Sequence, residues 1–180
     1  MARRAIIIIA SLSVVFIAHQ VTADPVQWAG NGHWYEAVTT SPSTRDEASQ
    51  AAQGMSWMSM SGHLATITSQ GEEDFLSSVM PSGPFWLGGY QDPPTSPPAQ
   101  DWHWQTGEPW SYTDWHPGEP NDYYGAGVES CLEWYGPGMG WNDVRCSETK
   151  GFLVEYDGMT PVEATTWGTI KVLFRAPEDR

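Results

Sequence analysis

The chain has 180 residues, of which 40% are hydrophobic and 13% aromatic, and its formal net charge is -14. This length and apolar content predict one domain with short appendages and enough material for a core. Charged residues make up only 17% of the sequence, which excludes a charge-swollen disordered chain. The acidic balance disfavours nucleic acid and anionic membranes as partners and is compatible with a cation-binding protein.

The first 23 residues have the pattern of a secretory signal peptide. Arg3 and Arg4 precede an apolar stretch, and small residues then lead to a cleavage position after Ala23. The stretch falls short of the ~20 residues that a membrane span needs, so an uncleaved anchor is the weaker alternative. Loss of the two arginines leaves six basic against 22 acidic residues, a net charge of -16. We expect a secreted protein, periplasmic or extracellular, with no membrane insertion after cleavage.

The first half of the mature sequence predicts strands alternating with two helices. Thr44 or Ser43 can cap the first helix, and acidic residues in its first turn suit the helix dipole. Ser69 can cap the second helix. The predicted elements are a strand over 34–38, a helix over 44–59 before Gly62, a β-type run over 63–69, a helix over 69–80 and a buried strand over 85–90.

A long irregular segment, residues 91–124, opens the second half. A loop of this length inside a compact domain is usually functional or disordered. Its aromatic content predicts that it is ordered and packed, since it contains Trp102, Trp104, Trp110, Tyr112 and Trp115. Strands are predicted over 130–135, 140–146 and 151–156. The complete order of elements is an α+β pattern.

Cys131 and Cys146 are the two cysteines of the chain, so the pairing is unambiguous if a disulfide forms. The bond would close a loop of about 15 residues, worth about 3 kcal/mol in the chain-entropy model. Export favours the disulfide, and free buried thiols are the alternative.

Carboxylate and amide side chains gather on both sides of the first cysteine. In the same region the histidines, His103 and His116, are isolated, and no Cys or His pair has metal-ligand spacing. Hard oxygen ligands without imidazole or thiolate favour Ca²⁺ over zinc. A solvated acidic loop is the alternative that the residues alone leave open. The oxygen-bearing side chains are Glu119, Asn121, Asp122, Glu129, Asn142 and Asp143.

Four fragments in sequence resemble the C-type lectin-like domain family. GHLATITS with EEDFL downstream resembles the family's second-helix region, and WLGG resembles its hydrophobic core motif. GEPND, followed by ESC, WND and a cysteine, resembles its calcium- and sugar-binding segment. The resemblance implies an α+β fold with two helices packed on small antiparallel sheets and a long loop region that carries the ligand site. We expect a signal peptide over 1–23, this domain over 24–157 and a tail of unassigned role over 158–180.

The resemblance also implies a site. The expected calcium ligands, which also bind the sugar, are Glu119, Asn121, Glu129, Asn142 and Asp143. A sugar hydroxyl can give a lone pair to Ca²⁺, donate its proton to a carboxylate and accept from an amide. Two neighbouring hydroxyls therefore need two carboxylates and two amides. Pro120 is expected to be cis, and Tyr123 is an additional candidate for contact with the sugar.

The Glu-then-Asn order of the motif resembles the mannose, glucose and fucose binders of the family. The expected function is calcium-dependent binding of mannose-type glycans, without enzymatic activity, in a possible homo-oligomer that gains avidity. A lectin-like domain that binds a protein or another surface, with calcium as a structural clamp, is the alternative. A glycoside hydrolase using Glu119 and Glu129 is the least favoured, because calcium coordination would occupy both carboxylates.

Two departures from the family pattern concern Val154 and Asp92. Val154 stands where the family has a last-strand cysteine, and the partner cysteine near Trp57 is also missing. Apolar packing is expected to replace that disulfide. An auxiliary calcium site is matched only in part, by Asp92 and Asp122 with Glu129 shared.

Overall fold

A computed structural model of the chain describes residues 24–94 and 96–158. The predicted signal peptide and the tail beyond residue 158 lie outside these residues. The helices are α1 (Arg45–Gln53) and α2 (Gln70–Val79). The strands are β1 (Val26–Gln27), β2 (Trp34–Ser43), β3 (Ser56–Trp57), β4 (Met60–Leu64), β5 (Phe85–Gln91), β6 (Trp102–Trp104), β7 (Cys131–Trp134), β8 (Trp141–Val144) and β9 (Lys150–Tyr156). Neither helix has the length and apolar character needed for a membrane crossing.

The predicted α+β fold is confirmed. The strands form one connected network whose main path is β1-β2-β9-β5-β7-β8, with β4 also beside β9 and β6 beside β5. The pairs are antiparallel except β5 with β9, which run parallel with Phe85 opposite Gly151. The sheet is therefore continuous rather than divided into separate antiparallel pieces, because this parallel pair joins its two halves.

Both helices begin at the predicted caps. The side-chain oxygen of Thr44 accepts from the backbone N–H of Glu47, and the Glu47 carboxylate accepts from the Thr44 N–H, which completes a capping box. Ser69 accepts in the same way from the N–H of Glu72 at the start of α2. The short polar side chains thus satisfy amide donors that the first helical turn cannot pair internally.

The first helix is shorter than the sequence predicted, and the prediction of helix as far as residue 59 is wrong. The helix ends at Gln53 with Gly54 as its C-cap. Strands β3 and β4 then form a hairpin whose turn residues, Met58 and Ser59, both have positive φ. Two positive φ values in a two-residue turn match the twist of the flanking strands.

Two apolar clusters lie on opposite faces of the sheet. Along β9, Leu153 belongs to one cluster, whereas Phe152 and Val154 belong to the other, as strand alternation requires. Helix α1 covers the second cluster with Ala48 and Ala52. Val154 is fully buried there, so apolar packing occupies the place of the missing disulfide.

The long loop is ordered and packed, as predicted. Trp102 and Trp104 are buried and belong to β6, a strand too short to be recognised from periodicity. The ring centroid of Trp110 lies 4.6 Å from that of Trp104 and 5.7 Å from that of Trp141. The loop therefore rests on an aromatic base that continues into the first residue of β8.

Candidate functional site

The backbone of the long loop is fastened to β8 just before the predicted ligands. The N–H of His116 donates to the Trp141 carbonyl over 2.8 Å, and the N–H of Trp141 donates to the Asp114 carbonyl over 2.7 Å. The N–H of Glu119 then donates to the His116 carbonyl over 2.9 Å. This turn brings the Glu119 segment beside β8.

The disulfide fixes the other side of the site. Cys131 and Cys146 are bonded, with their Cα atoms 5.2 Å apart, as predicted. Strands β7 and β8 pair with Leu132 opposite Asp143. Because Glu129 stands two residues before the first cysteine, the disulfide and the strand pairing hold it close to the β8 residues.

Asp143 holds the ligand loop from below. Only 1% of it is exposed, and its carboxylate accepts from the backbone N–H of Asn121 over 3.0 and 3.1 Å and from that of Asp122 over 2.7 Å. The Glu119–Pro120 peptide bond that precedes these amides is cis, as the resemblance implied. The loop is thus positioned by one side chain of the strand beneath it.

Asp122 anchors the remainder of the loop. Its carboxylate accepts from the backbone N–H groups of Gly127 and Glu129 over 3.3 and 3.4 Å. Sequence reasoning placed Asp122 in the cluster of oxygen-bearing side chains and, with Asp92, in an auxiliary calcium site. The signal for its anchoring role is an Asp at the head of a glycine-containing turn, where the side chain often binds backbone amides.

Two carboxylate oxygens of the site lack hydrogen-bond partners. Oε2 of Glu119 and Oε2 of Glu129 are buried, and neither has a partner among the described residues. An unsatisfied buried polar group costs about 1–3 kcal/mol, and more when it is charged. These atoms are therefore available for a ligand that the protein itself does not supply.

The electrostatics of the two glutamates agree with this geometry. Burial, followed by the nearby Asp143 carboxylate, raises the pKa of Glu119. Burial and Asp143 also raise the pKa of Glu129, while the backbone amides of Tyr123 and Tyr124 partly offset the rise. A cation among these oxygens would relieve both the desolvation and the repulsion. The donors are hard oxygens, so the residues present fit Ca²⁺.

Five of the six predicted site residues line one open depression of about 300 Å³. Asp143, the sixth, lies under the loop as described above. The predicted residues on the lining are Glu119, Asn121, Tyr123, Glu129 and Asn142.

Tyr123 is 78% exposed, so its ring is open to a ligand. Sequence reasoning did not identify Glu133, Tyr135 or Glu148, which also line the depression, because strand pairing rather than a local motif brings them there. The ring of Tyr124 is held by the guanidinium of Arg145, 4.2 Å from its centroid.

Fold and site together define a disulfide-containing α+β domain whose candidate ligand groups lie on loops and on the adjoining edge hairpin. The sequence profile of the Lectin C-type domain matches residues 41–155. The chain belongs to the C-type lectin family, as its motifs predicted.

Two curated relatives illustrate the range of the family. Halomucin of Haloquadratum walsbyi is 33% identical over 156 residues, which cover 77% of this chain and 2% of that protein. C-type lectin domain family 4 member A of Rattus norvegicus is 31% identical over 127 residues, covering 68% of this chain and 50% of the relative. The chain thus spans half or less of the length of these two relatives.

Solved structures share the fold. The C-type lectin domain of murine dendritic cell inhibitory receptor 2, in complex with N-glycan, matches with a TM-score of 0.60 at 24% identity, covering 76% of this chain and 98% of that one. The cow C-type carbohydrate-recognition domain of CD23, with GlcNAc2Man3 oligosaccharide, matches with a TM-score of 0.56 at 25% identity, covering 68% of this chain and 86% of that one. A calcium-independent type II antifreeze protein matches with a TM-score of 0.59 at 22% identity, covering 78% of this chain and 99% of that one.

Family membership supports carbohydrate binding in general terms. The family consists of binding proteins rather than enzymes, which confirms the prediction that the chain is not an enzyme. C-type lectin domains generally bind calcium, although the antifreeze neighbour is calcium-independent.

Proposed function

We propose that this chain is a calcium-dependent lectin for mannose-type glycans. One observation carries the proposal: two buried carboxylate oxygens, of Glu119 and Glu129, have no hydrogen-bond partner among the described residues. The depression that these glutamates line also presents two amide side chains, those of Asn121 and Asn142. The calcium ligands in this proposal are Glu119, Asn121, Glu129, Asn142 and Asp143, as the family motif implies.

The side chains divide the recognition of a sugar diol among themselves. When bound, Ca²⁺ supplies coordination for the lone pairs of two neighbouring hydroxyls. Glu119 and Glu129 accept hydrogen bonds from those hydroxyls, and the side-chain amides of Asn121 and Asn142 donate hydrogen bonds to the remaining lone pairs. A carboxylate at either asparagine would keep an oxygen for the metal but remove the donor. The pairing of acid with amide is therefore what makes the site selective for a diol.

The Glu-then-Asn order is the basis for expecting mannose, glucose or fucose rather than galactose. Tyr123 adds an exposed aromatic face at the rim, where it can contact the sugar ring. We place this activity outside the cell or in the periplasm, after cleavage of the signal peptide. Single lectin sites are weak, so assembly into a homo-oligomer would supply avidity.

A second candidate function is binding of a protein or another surface, with calcium as a structural clamp. The observation that favours it is the grip of Asp143 on the amides of Asn121 and Asp122, which shows that the carboxylate cluster also shapes the loop. The clamp requires oxygen ligands only and does not require an amide donor at Asn142.

The direct test is retention of the mature protein on mannose resin in millimolar calcium, with a galactose resin beside it and a chelator wash after both. We expect retention on mannose alone and release by the chelator. Protein that binds calcium but is retained on neither resin would instead support the clamp.

The substitution Asn121→Asp distinguishes the two functions by a different route. It keeps an oxygen at the metal and removes a donor, so we expect loss of mannose retention with calcium affinity largely preserved. Calcium titration of the variant provides the control for an intact site. An equal loss of calcium and sugar binding would contradict the division of labour proposed for the side chains.

A further inference from the structure

A second group of ionisable side chains lies where β2, β4 and β9 run side by side. In the strand registers, Glu155 of β9 stands opposite both Tyr35 of β2 and His63 of β4. His33 precedes Tyr35 by two residues and Asp157 follows Glu155 by two. Alternation along a strand therefore places two histidines and two carboxylates on one face of the sheet.

The side chains converge at short distances. Nδ1 of His33 is 2.6 Å from Oε1 of Glu155 and 3.7 Å from Oδ1 of Asp157. Nε2 of His63 is 3.0 Å from the same Oδ1 of Asp157. Ligand atoms about 2.0 Å from a tetrahedral zinc ion are about 3.3 Å from one another, and the three contact distances above lie on either side of that value. One ligand atom each of His33, Glu155 and Asp157 lies within 4.8 Å of the other two, and Nε2 of His63, which contacts Asp157, would move closer to them to become the fourth ligand.

Outer hydrogen bonds already orient two of these side chains. Nδ1 of His63 is 2.9 Å from the Leu64 carbonyl, and donation there leaves Nε2 directed at Asp157. The Glu155 carboxylate accepts from the Tyr35 hydroxyl over 2.9 Å and from the Thr66 backbone N–H over 2.9 Å. Histidines and carboxylates that bind metals are characteristically held in this way from behind.

We propose that His33, His63, Glu155 and Asp157 form a binding site for Zn²⁺, separate from the carbohydrate site. Two imidazoles with two carboxylates select zinc over calcium, which prefers oxygen ligands throughout. The side chain of Asp157 is 66% exposed, and those of the two histidines are 17% and 14% exposed, so solvent reaches the cluster. Bound zinc would add a cross-link among β2, β4 and β9.

The two sites belong to different parts of the sheet. The carbohydrate site is built around β7 and β8 at one end of the strand order, whereas this cluster is built on β2, β4 and β9. Metal binding at each can therefore be measured with the other filled or removed. The proposal does not depend on the lectin activity.

The test is equilibrium dialysis of the mature chain against ZnCl₂ in saturating calcium, which occupies the carbohydrate site, followed by metal analysis. We expect one zinc ion per chain. Substitution of Co²⁺ should give the intense visible absorption of a four-coordinate ion with nitrogen and oxygen ligands. Near-ultraviolet circular dichroism of the tryptophans shows whether each protein is folded.

Variants assign the zinc to the cluster. We expect zinc binding to be lost or at least about 10- to 100-fold weaker in His63→Gln and in Asp157→Asn, since even partners behind the ligands contribute that much. His103→Gln is the matched control, because His103 is an exposed histidine outside the cluster. Glu129→Gln should lose calcium and keep zinc.

Asp157→Asn keeps the test informative if the histidine variant does not fold, because this side chain is largely exposed and its replacement is isosteric. Absence of zinc from the folded parent protein would overturn the proposal. Equal zinc binding by the parent and Asp157→Asn, or loss of zinc in the His103→Gln control, would overturn it as well. The cluster would then be a set of ion pairs between protonated histidines and carboxylates that stabilises the sheet.

Discussion

Two buried glutamates, Glu73 and Glu129, differ in how the protein satisfies them. They are 3% and 4% exposed, and burial is the main cause that raises the pKa of each. The Glu73 carboxylate accepts from the indole N–H of Trp134 over 2.6 Å and from that of Trp141 over 3.0 Å. Oε2 of Glu129 has no partner in the described part of the chain. Two equally buried carboxylates therefore differ in role: Glu73 is structural, and Glu129 is a ligand in the proposed lectin site.

The same β-hairpin carries both arrangements. Trp134 ends β7 and Trp141 begins β8, so the turn end of the hairpin is tied to α2 through Glu73. The opposite end, next to the disulfide, adjoins Glu129, whose Oε2 has no partner among the described residues. The two ends of one hairpin thus adjoin two different carboxylates, Glu73 with both oxygens paired and Glu129 with one oxygen unpaired within the described residues.

The largest effect expected from this comparison is on stability. Glu73→Ala leaves two buried indole donors unpaired, at about 1–3 kcal/mol each. We expect the free energy of unfolding to fall by about 2–5 kcal/mol, measured by urea denaturation in saturating calcium. Glu73→Gln, which keeps one acceptor oxygen, is the control and should lose less. Ordinary surface substitutions change the free energy of unfolding by less than about 0.5 kcal/mol. A change this small in the alanine variant would show that Glu73 does not stabilise the fold.

Glu129→Gln should produce the opposite profile. It removes a buried charge whose Oε2 has no partner among the described residues, so the free energy of unfolding in chelator should stay equal or rise. Calcium affinity should fall by at least about 10- to 100-fold, because residues that only orient metal ligands already contribute that much. Calcium titration with a chelator-based indicator measures the loss of calcium affinity. Mannose resin should no longer retain the variant. Unchanged calcium affinity would show that Glu129 is not a ligand.

Acidification should release calcium, because protons compete for the same oxygens. Burial raises the pKa of Glu119 and of Glu129 above the ordinary 4.5, so the loss of affinity should begin at a higher pH than for a free carboxylate. Where one carboxylate must lose its proton, affinity should fall about tenfold per pH unit. Calcium titrations between neutral pH and about pH 4.5 measure this, and a constant affinity would contradict the assignment of ligands.

The metal-free protein should respond to pH in the reverse sense. Because the folded-state pKa of Glu119 and of Glu129 is raised, the folded protein binds protons more tightly at these groups than the unfolded chain does. Their contribution to the free energy of unfolding therefore falls as pH rises from 4.5 through the folded-state pKa. Urea denaturation in the presence of chelator, repeated across this pH range, should show a smaller pH-dependent contribution in Glu129→Gln than in the parent protein.

Tyr123→Ala is expected to have the smallest effect. The ring is 78% exposed and contacts the ring of Tyr124 edge-on at 5.1 Å between centroids, so its removal should leave the fold and calcium binding intact. Loss of an aromatic contact with the sugar is worth about 0.5–1.5 kcal/mol, a decrease in mannose affinity of about 2- to 10-fold. Calorimetric titration with mannose measures it. Full affinity in the variant would exclude Tyr123 from the sugar contacts.

The proposed carbohydrate site could be recognised in the sequence because its parts are close together in the chain. Glu119 and Asp143 are separated by 24 positions, and the disulfide lies within the same region. The cluster proposed to bind zinc could not be predicted, since His33 and Glu155 are 122 positions apart and meet only through the strand register. The end of α1 was also missed because the turn at Met58 and Ser59 adopts positive φ without the glycine or asparagine that usually signals it.

The pairing of β2 with β9 has a mechanical consequence. The beginning and the end of the described domain leave from the same region, since Trp34 is opposite Tyr156. Tension applied between the two ends would be carried by this pair, with little of it reaching the β7–β8 hairpin and its loops. The domain could therefore be pulled from both ends without distorting the proposed carbohydrate site.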